Sequence, residues 1–277
     1  MTRRLGPFRL WHLAAIATLV VVVLIGVNAL APDPGPPEAF EPICTVSGGP
    51  VPYELNLEQA AHATTIAAVG KRLGMSDHAV SVALATALQE SKLHNIDYGD
   101  RDSVGLFQQR PSQGWGTPSQ LTTPTYAATA FYNRLAKVEG WETMEVTEAA
   151  QRVQRSAAPN AYAKWETQAR MTAQALTGQI PAGFSCNLNI AETAAPTEQL
   201  GKKMSQELGL TTLATTLPEN RGWTVASWMV GHAQPLRITS VAFAGQTWTP
   251  ESGKWTPSAP IESRVRIERT PVAASVP

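Results

Sequence analysis

The sequence predicts a mainly α protein: a helical domain over residues 56–186, followed by a small α+β module over residues 200–269. Three observations lead there. Apolar residues recur at helical spacing between capping residues from Asn56 to Gly178. Strand-like alternation rich in β-branched and aromatic residues begins only around residue 238. Two cysteines, Cys44 and Cys186, bracket the helical stretch. At 277 residues and 43% hydrophobic content, the chain can bury a core of that size and still carry a second module.

Taken in order, residues 1–12 carry Arg3, Arg4 and Arg9 and read as a cytoplasmic N-terminus. Residues 13–31 contain no charge and are long enough to cross the hydrocarbon core as one helix. The expected location is therefore the cell membrane, with a single span and the rest of the chain extracellular. Ala29 and Ala31 form a small-x-small pattern before Pro32, so secretion after cleavage near Ala31 is the alternative. Pro32, Pro34, Pro36, Pro37 and Pro42 make residues 32–55 a stiff, Pro-rich linker. Export places Cys44 and Cys186 in an oxidising compartment, where an even pair is expected to form a disulfide. Closing so long a loop is worth about 5 kcal/mol in the chain-entropy model.

Asn56 followed by Gln59 is a capping-box start for a helix that runs to Leu73, with Gly74 suited to end it. A second helix begins at Ser76 or Asp77 and closes between Glu90 and Leu93. Residues 94–125 hold too many glycines and prolines for a long helix, and "VGLFQQ" within them reads as a short strand or an irregular buried segment. Helices resume over residues 125–138, over 148–156 behind a Thr147 cap, and over 160–176. Residues 187–199 are polar and read as a linker. The module then offers a helix from Thr197 to Leu208, an apolar helix in "RGWTVASWMVGHAQPL", and strands in "ITSVAFAG", "QTWTP" and "RVRIER". Trp223, Trp228, Trp248 and Trp255 are expected to be its core, and His232 a packed or capping residue. Residues 270–277 form a tail.

Charge narrows the function. Twenty-two basic residues balance 22 acidic ones, which removes the electrostatic argument for nucleic acid. The five histidines show no metal-ligand spacing, so neither a metal nor another cofactor is expected. The densest concentration of chemistry is "LQESKLHNIDYGDRDSVGLFQQRP", Leu88 to Pro111. Glu90 stands at the end of an apolar helix, a position that half-buries a carboxylate. Desolvation favours the protonated form of such a group, which can then act as a general acid on a glycosidic oxygen.

"ES" at Glu90 and Ser91, followed by "SVGLFQQRP" from Ser103 to Pro111, resembles the lytic transglycosylase pattern of the lysozyme-like superfamily. The resemblance covers roughly residues 55–178 and implies a lysozyme-like helical domain in an exported actinobacterial cell-wall protein. It implies Glu90 as the acid/base group, with Ser91, Gly105, Leu106, Phe107 and Gln108 at the glycan cleft. Phe107 replaces the usual methionine, and the tyrosine of the family's later motif falls at Gln154, with Tyr162 as the other candidate for its role. Tyr98 and Trp115 are candidates for stacking on sugar rings. The implied substrate is the peptidoglycan glycan strand, cleaved between N-acetylmuramic acid and N-acetylglucosamine with formation of a 1,6-anhydro ring. A hydrolytic route needs a second carboxylate, for which Asp97, Asp100 and Asp102 are candidates. The other class of function is a catalytically silent peptidoglycan-binding or envelope scaffold protein on the same fold. The C-terminal stretch distantly resembles part of a small domain at the ends of actinobacterial cell-wall proteins and reads as a binding or spacing module.

Overall fold

The computed structural model describes residues 41–156, 160–190 and 197–270. The expected membrane span at residues 13–31 and the tail lie outside or at the edge of these. Among the described residues no helix is long and apolar enough to cross a membrane. Among the described residues, nine helices, 47% helical content and two small antiparallel sheets make this a mixed α+β structure with much helix.

Two of the three strands of the first sheet stand within the expected linker of residues 32–55. Strand β1 (Ile43–Val46) is central, flanked by β2 (Tyr53–Leu55) and β3 (Phe184–Asn187), both antiparallel to it. The local reason is visible in "ICTV", where Cys44 and Val46 alternate inward with no exposure. Cys44 and Cys186 are register partners and are joined by a disulfide spanning 142 residues. The bond ties the entrance of the helical part to its exit.

Helix α1 (Leu57–Arg72) starts at a reciprocal capping box, Asn56 with Gln59, and Gly74 follows its end at positive φ. Helix α2 (Asp77–Glu90), capped by the Ser76 side chain, is buried along Ala79 to Leu88 and forms the spine of the domain. A helix hydrophobic all round belongs inside, and α3 (Pro118–Leu121), α4 (Pro124–Leu135), α5 (Val146–Gln154) and α6 (Glu166–Leu176) complete the set. Of these, α4, α5 and α6 all contact α2. Thr147 is not a cap: α5 begins at Val146, two residues earlier than expected, behind Glu145. The last helix begins at Glu166 rather than near Asn160, because a 3₁₀ turn at Ala163–Trp165 precedes it.

The C-terminal stretch contains α7 (Thr197–Leu208), α8 (Glu219–Gly231) and the short α9 (Ala233–Leu236). A sheet of order β6-β5-β4-β7 follows, from β4 (Ile238–Phe243), β5 (Gln246–Trp248), β6 (Trp255–Pro257) and β7 (Arg266–Arg269). Of the four strands in this sheet, only β6 was not expected from the sequence. This stretch packs on the helical part, and residues from Pro42 onward form one unit. A Cβ built on Gly231 would lie 2.7 Å from Thr64 of α1, so glycine alone permits that approach of α8. Trp248 donates its indole N–H to Cys186 O at 2.9 Å, and Trp255 donates to Phe184 O at 2.8 Å. Two of the expected core tryptophans thus weld the second sheet to the first.

Beneath α8 sits a buried polar network. Thr65, Trp228 and His232 place Oγ1, Nε1 and Nε2 at 2.8, 2.7 and 3.2 Å from Glu207 Oε2. Lys203 and Thr125 donate to its other oxygen. Burial alone would raise the Glu207 pKa, but the hydrogen bond and charge of His232 and the ammonium of Lys203 outweigh it and hold the carboxyl well below its usual range. Burial lowers the pKa of His232, and the hydrogen bond to Glu207 and its charge act against that.

Candidate functional site

Glu90 occupies the last position of α2, the end at which the helix dipole disfavours a carboxylate. A residue placed against its local preference needs support from elsewhere, and here it comes from two segments. Tyr162 donates its phenol O–H to Glu90 Oε1 at 2.7 Å. Gln154, at the end of α5, donates from Nε2 to the same oxygen at 3.3 Å and to Phe107 O at 2.7 Å. Oε2 has no hydrogen-bond donor among the described residues.

The helix stops at this point because Lys92 and Leu93 both adopt positive φ. Ser91 is buried and donates to Leu106 O at 2.8 Å, tying the helix end to the turn over residues 104–109. Lys92 returns to Leu88 O at 3.0 Å, satisfying a terminal carbonyl, while its ammonium lies 4.5 Å above the Trp165 ring. Trp165 in turn donates to Gln89 Oε1 at 2.9 Å. Glu90 is therefore framed by fixed neighbours on both sides.

The "VGLFQQ" segment is a tight turn closed by a Val104–Gln109 bridge. Gly105 has φ +77°, and a Cβ there would lie 2.2 Å from Leu121 O, so neither the conformation nor the space admits a side chain. Leu106 and Phe107 point into the core instead of lining a cleft. Both are fully buried, and Phe107 stacks on Phe131 with centroids 4.8 Å apart. Phe107 reaches the site only through its carbonyl. Gln108 and Gln109 part company because of a turn in which Gln108 adopts φ +48°. Gln108 lines the cleft and donates to Tyr98 O at 3.2 Å, while Gln109 is buried and donates to Ala127 O.

The cleft has a volume of about 430 Å³, with Glu90, Gln108, Trp115 and Gln154 among its walls. Ser103, Arg110, Gln113 and Arg155 also line it. Trp115 is almost fully buried, with the Arg134 guanidinium 3.6 Å above its ring, so it serves as a wall more than as an open stacking platform. Tyr98, 71% exposed, lies outside this lining.

The three aspartates differ. Asp102 accepts from Arg110 Nε at 2.8 Å and from Ser112 N at 2.7 Å, and these donors hold its carboxyl far below the usual range. It is a brace for the loop. Asp97 is exposed and outside the lining, whereas Asp100 lies at the mouth of the cleft beside Arg101.

Tyr162 has its pKa pushed far up, first by burial, then by the charge of Glu90 and the hydrogen bond to it. It remains a neutral donor throughout the ordinary pH range. Sequence reasoning named Gln154 and Tyr162 as alternatives; the fold brings both to one oxygen. It did not name Arg155, Gln113 or Trp165, which lie in a helix cap and two short 3₁₀ turns without a distinctive local pattern. Among the described residues no cluster of His, Cys, Asp and Glu is placed to hold a metal ion. No family model and no curated protein matches the chain.

Proposed function

We propose that the protein is a membrane-anchored, exported peptidoglycan-cleaving enzyme of lytic transglycosylase type, with a lysozyme-like helical domain. The observation that carries this reading is the convergence of Tyr162 and Gln154 on one oxygen of Glu90 at the wall of a cleft. With two donors on Oε1, a proton carried by Glu90 belongs on Oε2. From there it passes to the glycosidic oxygen between N-acetylmuramic acid and N-acetylglucosamine as that bond breaks. The same carboxylate then accepts the proton of the muramyl C6 hydroxyl, whose oxygen closes the 1,6-anhydro ring. One carboxylate serves both steps, and neither step requires a cofactor.

Asp100 at the mouth of the cleft supports a second reading, hydrolysis by a muramidase with Asp100 as the second carboxylate. Muropeptide analysis separates the two. The full chain in detergent and its Glu90→Gln variant are incubated with purified peptidoglycan, and the products are weighed by mass spectrometry. Anhydro ends from the unaltered protein alone support the transglycosylase, and reducing ends support the muramidase. Sedimentation with the wall without products leaves a catalytically silent binding protein.

A further inference from the structure

Beside the Glu90 cleft lies a second trough of about 610 Å³, and the two share Gln113, Gln154 and Arg155 in their walls. Its remaining charged walls are Arg134, Lys137 and Arg152, and no carboxylate lines it. In a chain with formal net charge zero, four cations around one depression are a local excess. Arg152 is paired with Glu148 at 3.2 Å on its outer side. Arg134, Lys137 and Arg155 have no ion-pair partner among the described residues. Arg134 is half-buried over Trp115, and burial together with the charge of Arg155 lowers its pKa, so the like charges stand close enough to oppose one another. An anion between them relieves that repulsion.

We infer that this trough is an anion-binding subsite continuous with the Glu90 cleft, and that it receives the carboxylates of an acidic peptide arm borne by the glycan strand. The inference rests on the proposed glycan-cleaving function and specifies its substrate as a strand that still carries its peptides. Several cations spread along the trough suit several carboxylates on one arm better than a single sugar carboxylate. Arg155 lies in both depressions, next to Gln154, and therefore couples recognition of the arm to the position of the sugar beside Glu90.

The test is binding, measured by calorimetry on the full-length Glu90→Gln protein so that no ligand is consumed. Three ligands of equal sugar length are compared: a neutral N-acetylglucosamine oligomer, a muramic-acid-containing strand stripped of peptides, and the peptide-bearing strand. The expected order places the peptide-bearing strand roughly tenfold tighter than the neutral oligomer, as two or three exposed charge pairs provide. Lys137→Glu, an exposed change outside the Glu90 cleft, abolishes that advantage and leaves binding of the neutral oligomer unaltered. Raising the salt concentration has the same selective effect. Equal binding of all three, or an advantage that survives Lys137→Glu, overturns the inference while the proposed function stands. Equal binding of the stripped and peptide-bearing strands assigns the trough to the muramyl carboxylate and overturns the peptide arm. If no glycan binds, the proposed function falls, and this inference with it.

Discussion

Two glutamates in the last turns of helices, Glu90 of α2 and Glu207 of α7, are held in opposite ways. Glu207 is 2% exposed and has five protein partners distributed over both oxygens. Glu90 has two donors, both on Oε1, and faces a cleft. A carboxylate offers about four lone-pair sites. Glu207 has them filled and joins α1, α4, α7 and α8, so its role is structural. Glu90 has both of its donors on one oxygen. The number of partners, and not the residue type or its place in a helix, separates the two environments.

The comparison is sharpened most by exchanging what each glutamate should lose. Glu90→Gln is expected to lower the rate of anhydromuropeptide release by about 10²–10⁴-fold, the usual contribution of a general acid/base. Its melting temperature should be close to that of the unaltered protein. An unchanged rate would remove Glu90 from the mechanism. Glu207→Ala should do the reverse and cost about 3–5 kcal/mol, because buried donors lose their acceptor and Lys203 its counter-charge. Denaturant unfolding measures this, and a loss below about 1 kcal/mol would show that the network does not hold the helices together.

Tyr162→Phe tests whether the phenol proton matters to the site. Losing one hydrogen bond to a charged group, about 1.5–3 kcal/mol, should reduce the rate about 10- to 100-fold with the fold retained. A rate within about twofold of the unaltered protein would make Tyr162 a packing residue.

The smallest effect concerns acid. Glu207 has a depressed folded pKa, so its contribution to stability is complete above the unfolded value of about 4.3 and is lost as pH falls through the lower folded value. Stability of the unaltered protein should therefore decline below about pH 4, and that of Glu207→Gln less steeply. Parallel curves would show that His232 and Lys203 do not act through this carboxylate.

The helices were largely legible because their signals are local. Asn56 with Gln59, Ser76 before an apolar run, and Gly74 after one each announce a boundary within a few residues. The strands at Ile43–Val46 and Tyr53–Leu55 were hidden among prolines, since short strands are stabilised by their neighbours in the sheet, and the second neighbour of Ile43–Val46, Phe184–Asn187, lies about 140 residues away in sequence. Leu106 and Phe107 illustrate a different limit. Their motif position was legible, but the positive φ at Gly105 and Gln108 turns both side chains into the core and leaves only the Phe107 carbonyl for the site.

By itself, the sequence determined the helical framework and the pairing of Cys44 with Cys186, the one by short-range patterns and the other by elimination between two residues, and it offered Glu90 as a candidate through a resemblance. Only the tertiary structure decided that Gln154 and Tyr162 meet on one oxygen, that Asp102 is spent on Arg110 and Ser112, and that Arg134, Lys137 and Arg155 share a trough. Gln154 and Tyr162 reach Glu90 from 64 and 72 residues away and Asp102 is met across a folded loop, so where each side chain ends is set by the packing of the elements that carry it.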